Sequence, residues 1–430
     1  MKHRAVILFV LLDILLLVAI APLLPFQDDW TYLTAPNPDF SWRGMLPSAV
    51  FWRPFDALWG GFLGGAPWLF PWANRIAVVF GHALCVWLAI CVIEELCSDR
   101  RVKLAALGFF AMSSGIAATI VNTDSINLVW SCIWGCAGTL VLLRGRAECC
   151  AFGCFAVSML CKESGVSWLM VGPVLAYAKD GRWRHLLKRG IVGALTLICY
   201  MGLRFALRSE VALGDNGDYA LTLSPLTVVR NLAILIGMGM SNIDGLAYFA
   251  HRYFLFIGTA VFSLLAWCAY AASVDMKRRI EVVSRLIMGV CVIVAFAAPH
   301  CMFKNHHPAE MHFYPVLLGG AFTLAMIPLN ETSRVPFSSS VILMTAVFAI
   351  GWCDKISTIY ASNAKAERLL SKIKADVWDF NVPKEYTVKA NKDEMRYSVF
   401  MQSPAWCLDY GRALRSQNEW RESKVTIVEE

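Results

Sequence analysis

Residues 5–30 read AVILFVLLDILLLVAIAPLLPFQDDW. A helix needs about 20 apolar residues to cross the hydrocarbon of a bilayer. Ala5 to Leu24 meets that length with a single charge, Asp13, and predicts a first membrane span. The run follows Lys2-His3-Arg4 and exceeds the roughly 7–15 apolar residues of a secretory signal. On that length it is read as an uncleaved first span. Two adjacent carboxylates, Asp28 and Asp29, then stand with Trp30 where the chain leaves the hydrocarbon.

The rest of the chain repeats the pattern. Of 430 residues, 57% are hydrophobic and 17% charged, with a mean hydropathy of +0.54. Soluble domains carry about 25% charged residues, so most of this chain is dissolved in lipid. The net charge of +7 lies in short clusters, Lys2-Arg4, Arg100-Lys103, Arg144-Arg146, Lys179-Arg189 and Lys277-Arg285, and not in a nucleic-acid-binding surface. Lys and Arg next to spans are retained in the cytoplasm, which makes these gaps inner loops and turns residues 25–72 outward. Spans are predicted near 5–24, 73–96, 103–121, 126–143, 190–207, 252–273, 284–300, 313–328 and 338–353. Residues 149–178 lie between two basic loops and are too few for two full crossings. They predict a hairpin of short helices with Lys162-Glu163 at its tip. Residues 223–250 read as an interfacial or re-entrant segment. The expected fold is an all-α polytopic membrane protein with about eleven membrane helices, the hairpin counted as two.

Two regions fall outside that frame. The outer loop 25–72 holds six of the sixteen tryptophans, and the apolar residues of LPSAVFWRPFDALWGGFL recur at helical spacing. This predicts a helix lying in the interface, with the rings either anchoring it as an aromatic belt or lining a sugar or polyprenyl groove. A transmembrane domain of residues 1–353 is followed by a soluble tail, 354–430, placed outside by span parity. The tail is read as an amphipathic helix to about residue 377, then short β-like pieces. Most of the fifteen cysteines lie inside apolar runs, where a thiol behaves as a small hydrophobe. One bridge among Cys301, Cys353 and Cys407 is conceivable, and no Cys/His metal spacing is present.

Several ionisable residues gather, on this topology, at the outer ends of spans: Asp28, Asp29, Arg53, Asp124, Lys162, Glu163, Arg204, Arg208, Glu310 and His312. Carboxylates beside cations at membrane depth imply a polar cavity. A carboxylate there can take a proton from an attacking hydroxyl, and cations can hold a departing phosphate. Blander readings stand beside this one. The twin aspartates can be solvated loop residues, Arg53 a snorkelling anchor, Lys162-Glu163 a structural ion pair and His312 a satisfied interface histidine. Asp13 and His82 read as a buried structural pair.

In order along residues 1–330, these motifs resemble the GT-C superfamily of membrane glycosyltransferases. They are most similar to protein O-mannosyltransferases and the lipid A aminoarabinose transferase. The carriers are FQDDW, FWRPF, Thr123-Asp124, CKESGV and AEMHFYPVLLGG. The chain departs from the family in having Asp at 29 and 124, and Met311-His312 where an arginine is expected. The resemblance implies a polyprenyl-phosphate sugar donor and inverting transfer to a hydroxyl of a glycan, lipid or protein. It places the site outside, on what would be a bacterial cytoplasmic membrane. It makes Asp28 the general base, with Asp29 orienting the acceptor or a metal. Arg53, Lys162 and Arg204 become candidates for the donor phosphate, with Asp124, Glu163, Glu310 and His312 lining the site; metal dependence stays open. The alternatives are a transporter or flippase of lipid-linked sugars, and a polymerase or ligase with a pyrophosphate-linked donor.

Overall fold

The computed structural model describes residues 11, 13–26, 29–30, 45–46, 52–207, 222, 224–241, 253–302, 310–329, 334–377, 382–389, 403–415 and 424–430. Residues 13–20 are helical, and the helices that follow are numbered from the outer loop. They are α1 (Pro54–Gly65), α2 (Trp72–Leu96), α3 (Arg100–Ala111), α4 (Ala117–Val121), α5 (Ile126–Leu143), α6 (Glu148–Cys161), α7 (Trp168–Asp180) and α8 (Trp183–Leu207). After them come α9 (Pro225–Ser241), α10 (Tyr253–Ala272), α11 (Arg279–Cys301), α12 (Phe313–Met326) and α13 (Arg334–Asp376). Among the described residues, six helical segments are long and apolar enough to cross a membrane: Trp72–Leu96, Arg100–Val121, Thr123–Leu143, Trp183–Leu207, Arg279–Cys301 and Arg334–Asp376.

Sequence chemistry explains where these helices start and stop. Asp99 caps α3 by accepting from the Arg101 backbone N–H at 2.7 Å, as an N-cap carboxylate does. Pro54 opens α1 at a position where its fixed φ suits the helix and its missing N–H costs nothing. Gly181, at φ 66°, ends α7 in the left-handed conformation that glycine adopts without a Cβ penalty. α5 lies at the centre, packed on α2, α6 and α7. Gly135 on α5 admits the Trp168 ring, which would overlap any Cβ there.

Along α8 the packing is inverted relative to a soluble helix. On α8, Leu187, Ile191, Leu195, Ile198 and Phe205 are exposed, whereas Arg189 and Arg204 are each only 5% exposed. Apolar surface of this extent is stable in lipid and a liability in water. The coarse expectation of a helical, integral-membrane architecture therefore holds. The hairpin is present as α6 and α7, 14 and 13 residues long, with a 3-10 turn over Glu163–Ser167 at its tip. Asp13 and His82 also meet, at 3.9 Å, with Tyr314 Oη 2.9 Å from His82 Nδ1.

Two expectations are corrected and a third is partly described. The span ending at Cys353 and the amphipathic helix after it form one continuous 43-residue helix, α13. At 1.5 Å per residue it is about 65 Å long, roughly twice the hydrocarbon thickness. Ile359, Ala366, Leu370 and Ile373 form its buried stripe beyond Cys353. Of residues 223–250, expected to be interfacial or re-entrant, 225–241 form a helix packed on α11 and α12, and 242–250 lie outside the described residues. All fifteen cysteines are free, so no bridge joins Cys301, Cys353 and Cys407.

The tail docks on the exit of the first helix. Leu24 N–H donates to Asn363 Oδ1 at 2.7 Å, Tyr360 Oη donates to the Ala19 carbonyl at 2.6 Å, and Trp30 Nε1 donates to the Cys407 carbonyl at 3.2 Å. Strands β1 (Lys384–Val388) and β2 (Val425–Glu429) pair in parallel. Of the β-like pieces expected in the tail, EYTVKA and KVTIVEE hold these strands, and SVFMQ, residues 398–402, lies outside the described residues. The charged loops of the opposite end close in ion pairs. Arg144 and Lys179 donate to Glu95 at 3.0 and 2.6 Å, and Lys188 and Arg189 lie 3.0 Å from Glu148.

Candidate functional site

Arg53 caps α1, the helix of the loop after the first span. The Arg53 Nε donates to Glu163 Oε2 at 2.8 Å, joining that loop to the hairpin tip 110 residues later. Arg53 Nη1 also lies 3.9 Å from Asp56 Oδ2, one turn along α1. Asn127 Nδ2 donates to the same Asp56 oxygen at 3.0 Å, and Lys162 Nζ donates to Asn127 Oδ1 at 3.2 Å. A closed chain results: Glu163, Arg53, Asp56, Asn127, Lys162.

Further residues act on this chain electrostatically. The charges of Arg53, Asp124, Asp56 and Glu163 all reach Lys162, and the Arg204 charge reaches Glu163 from α8. Tyr200, one turn before Arg204, stacks on Trp52 at 5.1 Å between centroids. His300, at the end of α11, and His312, before α12, stack at 3.7 Å, within reach of Lys162 and Arg53. The cluster reaches the surface at one edge: side-chain exposure is 21% for Arg53 and 32% for Glu163, but 4% for Asp56. Among the described residues, Asp56 Oδ1, Glu163 Oε1 and His312 Nδ1 are buried without a hydrogen-bond partner.

Asp29 has a different part. Its Oδ2 accepts from the Phe26 N–H at 3.0 Å and its Oδ1 from the Asp124 N–H at 2.7 Å. At 1% exposure it ties the exit of the first helix to the turn Thr123–Ser125. Arg75 completes the tie by donating to the carbonyls of Ala21, at 2.7 Å, and Leu23, as a cation at a helix C-terminus does.

Burial pushes the Asp29 carboxyl up to about 7, against the pull of its two N–H donors. The folded protein then holds this proton in a range where the unfolded chain, with a carboxyl near 3.8, has released it. The resulting stabilisation is complete below about 3.8 and is lost as pH rises through about 7. The thermal midpoint of the purified protein should therefore fall as pH rises from 4 to 8, with a shallower slope in Asp29→Asn. Asp56 moves in the same direction, also through burial, so the slope is reduced and not abolished. An unchanged slope in the variant would refute the assignment.

Of the residues singled out from sequence, the structure gathers Arg53, Lys162, Glu163, Asp124, Arg204 and His312 at one pocket. Asp29 is beside it, turned onto backbone donors. Asp28 and Arg208 lie outside the described residues, and Glu310 is described only as the first residue of a 3-10 turn, Glu310–His312. Four pocket residues were not foreseen: Asp56, Asn127, Tyr200 and His300. Spacing carried a signal for three of them, since Asp56, Asn127 and Tyr200 each stand three or four helical positions from a residue already chosen. Of the six loop tryptophans, Trp52 reaches the pocket. Trp59 Nε1 donates to Asn74 at 2.6 Å, Trp68 and Trp72 are exposed, as a belt requires, and Trp42 lies outside the described residues. Among the described residues, no three His, Cys, Asp or Glu side chains are placed to hold one metal ion. No family model matches the chain, and no curated protein or solved structure is found similar to it.

Proposed function

We propose that this chain is an integral-membrane glycosyltransferase that moves a sugar from a polyprenyl-phosphate donor to an acceptor hydroxyl. One observation carries the reading. Three cations from separate segments, Arg53, Lys162 and Arg204, meet three carboxylates, Asp56, Asp124 and Glu163, in a pocket that is open on one side. The pocket sits at the end of the bundle away from the Glu95 and Glu148 ion pairs, which, under the positive-inside rule, supports an extracytoplasmic site.

The chemistry follows from those groups. The acceptor oxygen attacks the anomeric carbon as its proton passes to a carboxylate. The bond to the phosphate oxygen breaks with its electron pair, releasing polyprenyl phosphate with inversion at carbon. Arg53, Lys162 and Arg204 neutralise the phosphate as that charge develops. Asp28 is the proposed base. It is next in the chain to Asp29, whose two backbone bonds make it a positioning residue in this reading. His312 and Glu310 complete the donor side. The bundle would hold about eleven membrane helices in a bacterial cytoplasmic membrane, with the acceptor a glycan, lipid or protein.

Purified protein incubated with a panel of polyprenyl-phosphate sugars should consume one of them and release polyprenyl phosphate. Asp28→Asn, at normal membrane levels, should lose that activity; full activity in the variant would overturn the role of Asp28. Movement of a labelled lipid-linked sugar across vesicles, with no new glycosidic bond, would replace the enzyme with a flippase.

A further inference from the structure

The far end of the bundle carries a second polar cavity. A cleft of about 950 Å³ opens between the end of α7, the turn Met276–Arg278 and the start of α11. Its charged lining is Lys179, Lys277, Arg278, Arg279 and Arg285 against Asp180 and Glu281. Both acids are already engaged. Arg278 and Arg285 hold Glu281 at 2.5 and 2.8 Å, and Arg189 and His185 approach Asp180 at 3.5 and 3.6 Å. Lys179 is spent on Glu95, at 2.6 Å. Among the described residues, Lys277 and Arg279 have no ion-pair partner. The cleft therefore holds an uncompensated positive charge that acids of the described residues do not meet.

Beneath it, α11 changes character. Ile280, Val283, Ile287 and Val290 follow one another at three- and four-residue steps, which sets them on one face of the helix. They are 89%, 54%, 59% and 50% exposed. The stripe begins in the cleft, since Ile280 lines it. A soluble anion would use the cations and leave the stripe idle. A ligand with a phosphate head and hydrocarbon tails uses both, and basic pockets between helix ends on the inner leaflet take such head groups.

We propose that this cleft binds the phosphate head group of an anionic glycerophospholipid, whose acyl chains lie along the Ile280–Val290 stripe. Lys277 and Arg279 hold the phosphate, and Ile280 marks the boundary between head and tail.

The test uses the full chain in a neutral detergent, titrated with phosphatidylglycerol, phosphatidylcholine, glycerol phosphate or inorganic phosphate, with lipid retention read by native mass spectrometry. Phosphatidylglycerol should bind saturably and phosphatidylcholine should not. The double variant Lys277→Gln/Arg279→Gln should weaken retention about thirtyfold, two surface cations at about fivefold each. The variant Arg144→Gln/Arg146→Gln, which removes the same charge elsewhere at this end, should retain the lipid. Ile280→Gln should weaken phosphatidylglycerol while leaving the protein folded. Equal retention of the two lipids, an equal loss in the Arg144/Arg146 variant, or equal binding of inorganic phosphate would each overturn the proposal. None of these readouts depends on transferase activity, so the lipid site stands or falls apart from the proposed reaction.

Discussion

Replacing Lys162 by glutamine is expected to lower sugar transfer by about 10²- to 10³-fold, the range seen when one preorganised donor to a developing negative charge is removed. The side chain is 6% exposed, and its Nζ is held by Asn127 at 3.2 Å, with Arg53 and three carboxylates acting on it. Its position is therefore fixed before any donor arrives, which is what makes a cation effective in the transition state. Stranding a buried carboxylate by deleting its cation costs several kcal/mol when that carboxylate stays ionised. Here Asp56 escapes that cost, because burial already pushes its carboxyl up and it can take a proton once the ammonium is gone. Glutamine also keeps an N–H for Asn127. The variant should thus reach the membrane and fold, with the loss falling on kcat/KM, measured by release of polyprenyl phosphate at several pH values. Wild-type rates from Lys162→Gln would mean that the phosphate is held elsewhere, and the reaction assigned to this pocket would go with it.

What could be read from sequence divides along a physical line. Apolar runs of bilayer length mark helices because the membrane requires backbone hydrogen bonds to be met within each segment. The same constraint gave the hairpin, since thirty residues between two basic loops admit little else. Lys162, Glu163 and Arg53 were legible because a charge in an apolar setting needs a partner or a wet cavity. Composition, however, reports the solvent and not the backbone. At Cys353 the sequence turns polar, yet α13 runs through Gly351 and on to Asp376, because leaving lipid does not by itself end a helix whose buried stripe continues. Composition also cannot rank identical neighbours. Nothing in FQDDW shows that Asp29 is turned onto the N–H groups of Phe26 and Asp124; the second donor comes from 95 residues away. His300 was missed for a related reason. Polar residues at span ends are common, and only the folded arrangement separates a pocket lining from a boundary.

Gly165→Ala is expected to destabilise the protein by about 1–3 kcal/mol, the usual cost of overfilling a packed site, and to lower transfer further than that loss of folded protein explains. A Cβ at Gly165 would lie 2.5 Å from the Ser158 carbonyl carbon and oxygen and 2.7 Å from the Met159 nitrogen. All three are backbone atoms of α6, so no side chain can rotate aside. The hairpin tip is moored at the same place: Lys162 N–H donates to the Ser158 carbonyl at 3.1 Å, and Gly165 N–H donates to the Lys162 carbonyl at 2.8 Å. Relief of the clash must therefore lift the tip from α6. Lys162 then moves relative to Asn127, and Glu163 relative to Arg53, whose 2.8 Å bond holds the outer loop to the hairpin. Ser164→Ala, one residue away and half-buried, serves as the control and should leave both properties near wild type. Thermal midpoints and donor consumption, measured on the same preparations, separate the two effects. A Gly165→Ala protein with an unaltered midpoint would show that the tip has room for a methyl group, and the close approach that positions Lys162 and Glu163 would have to be abandoned.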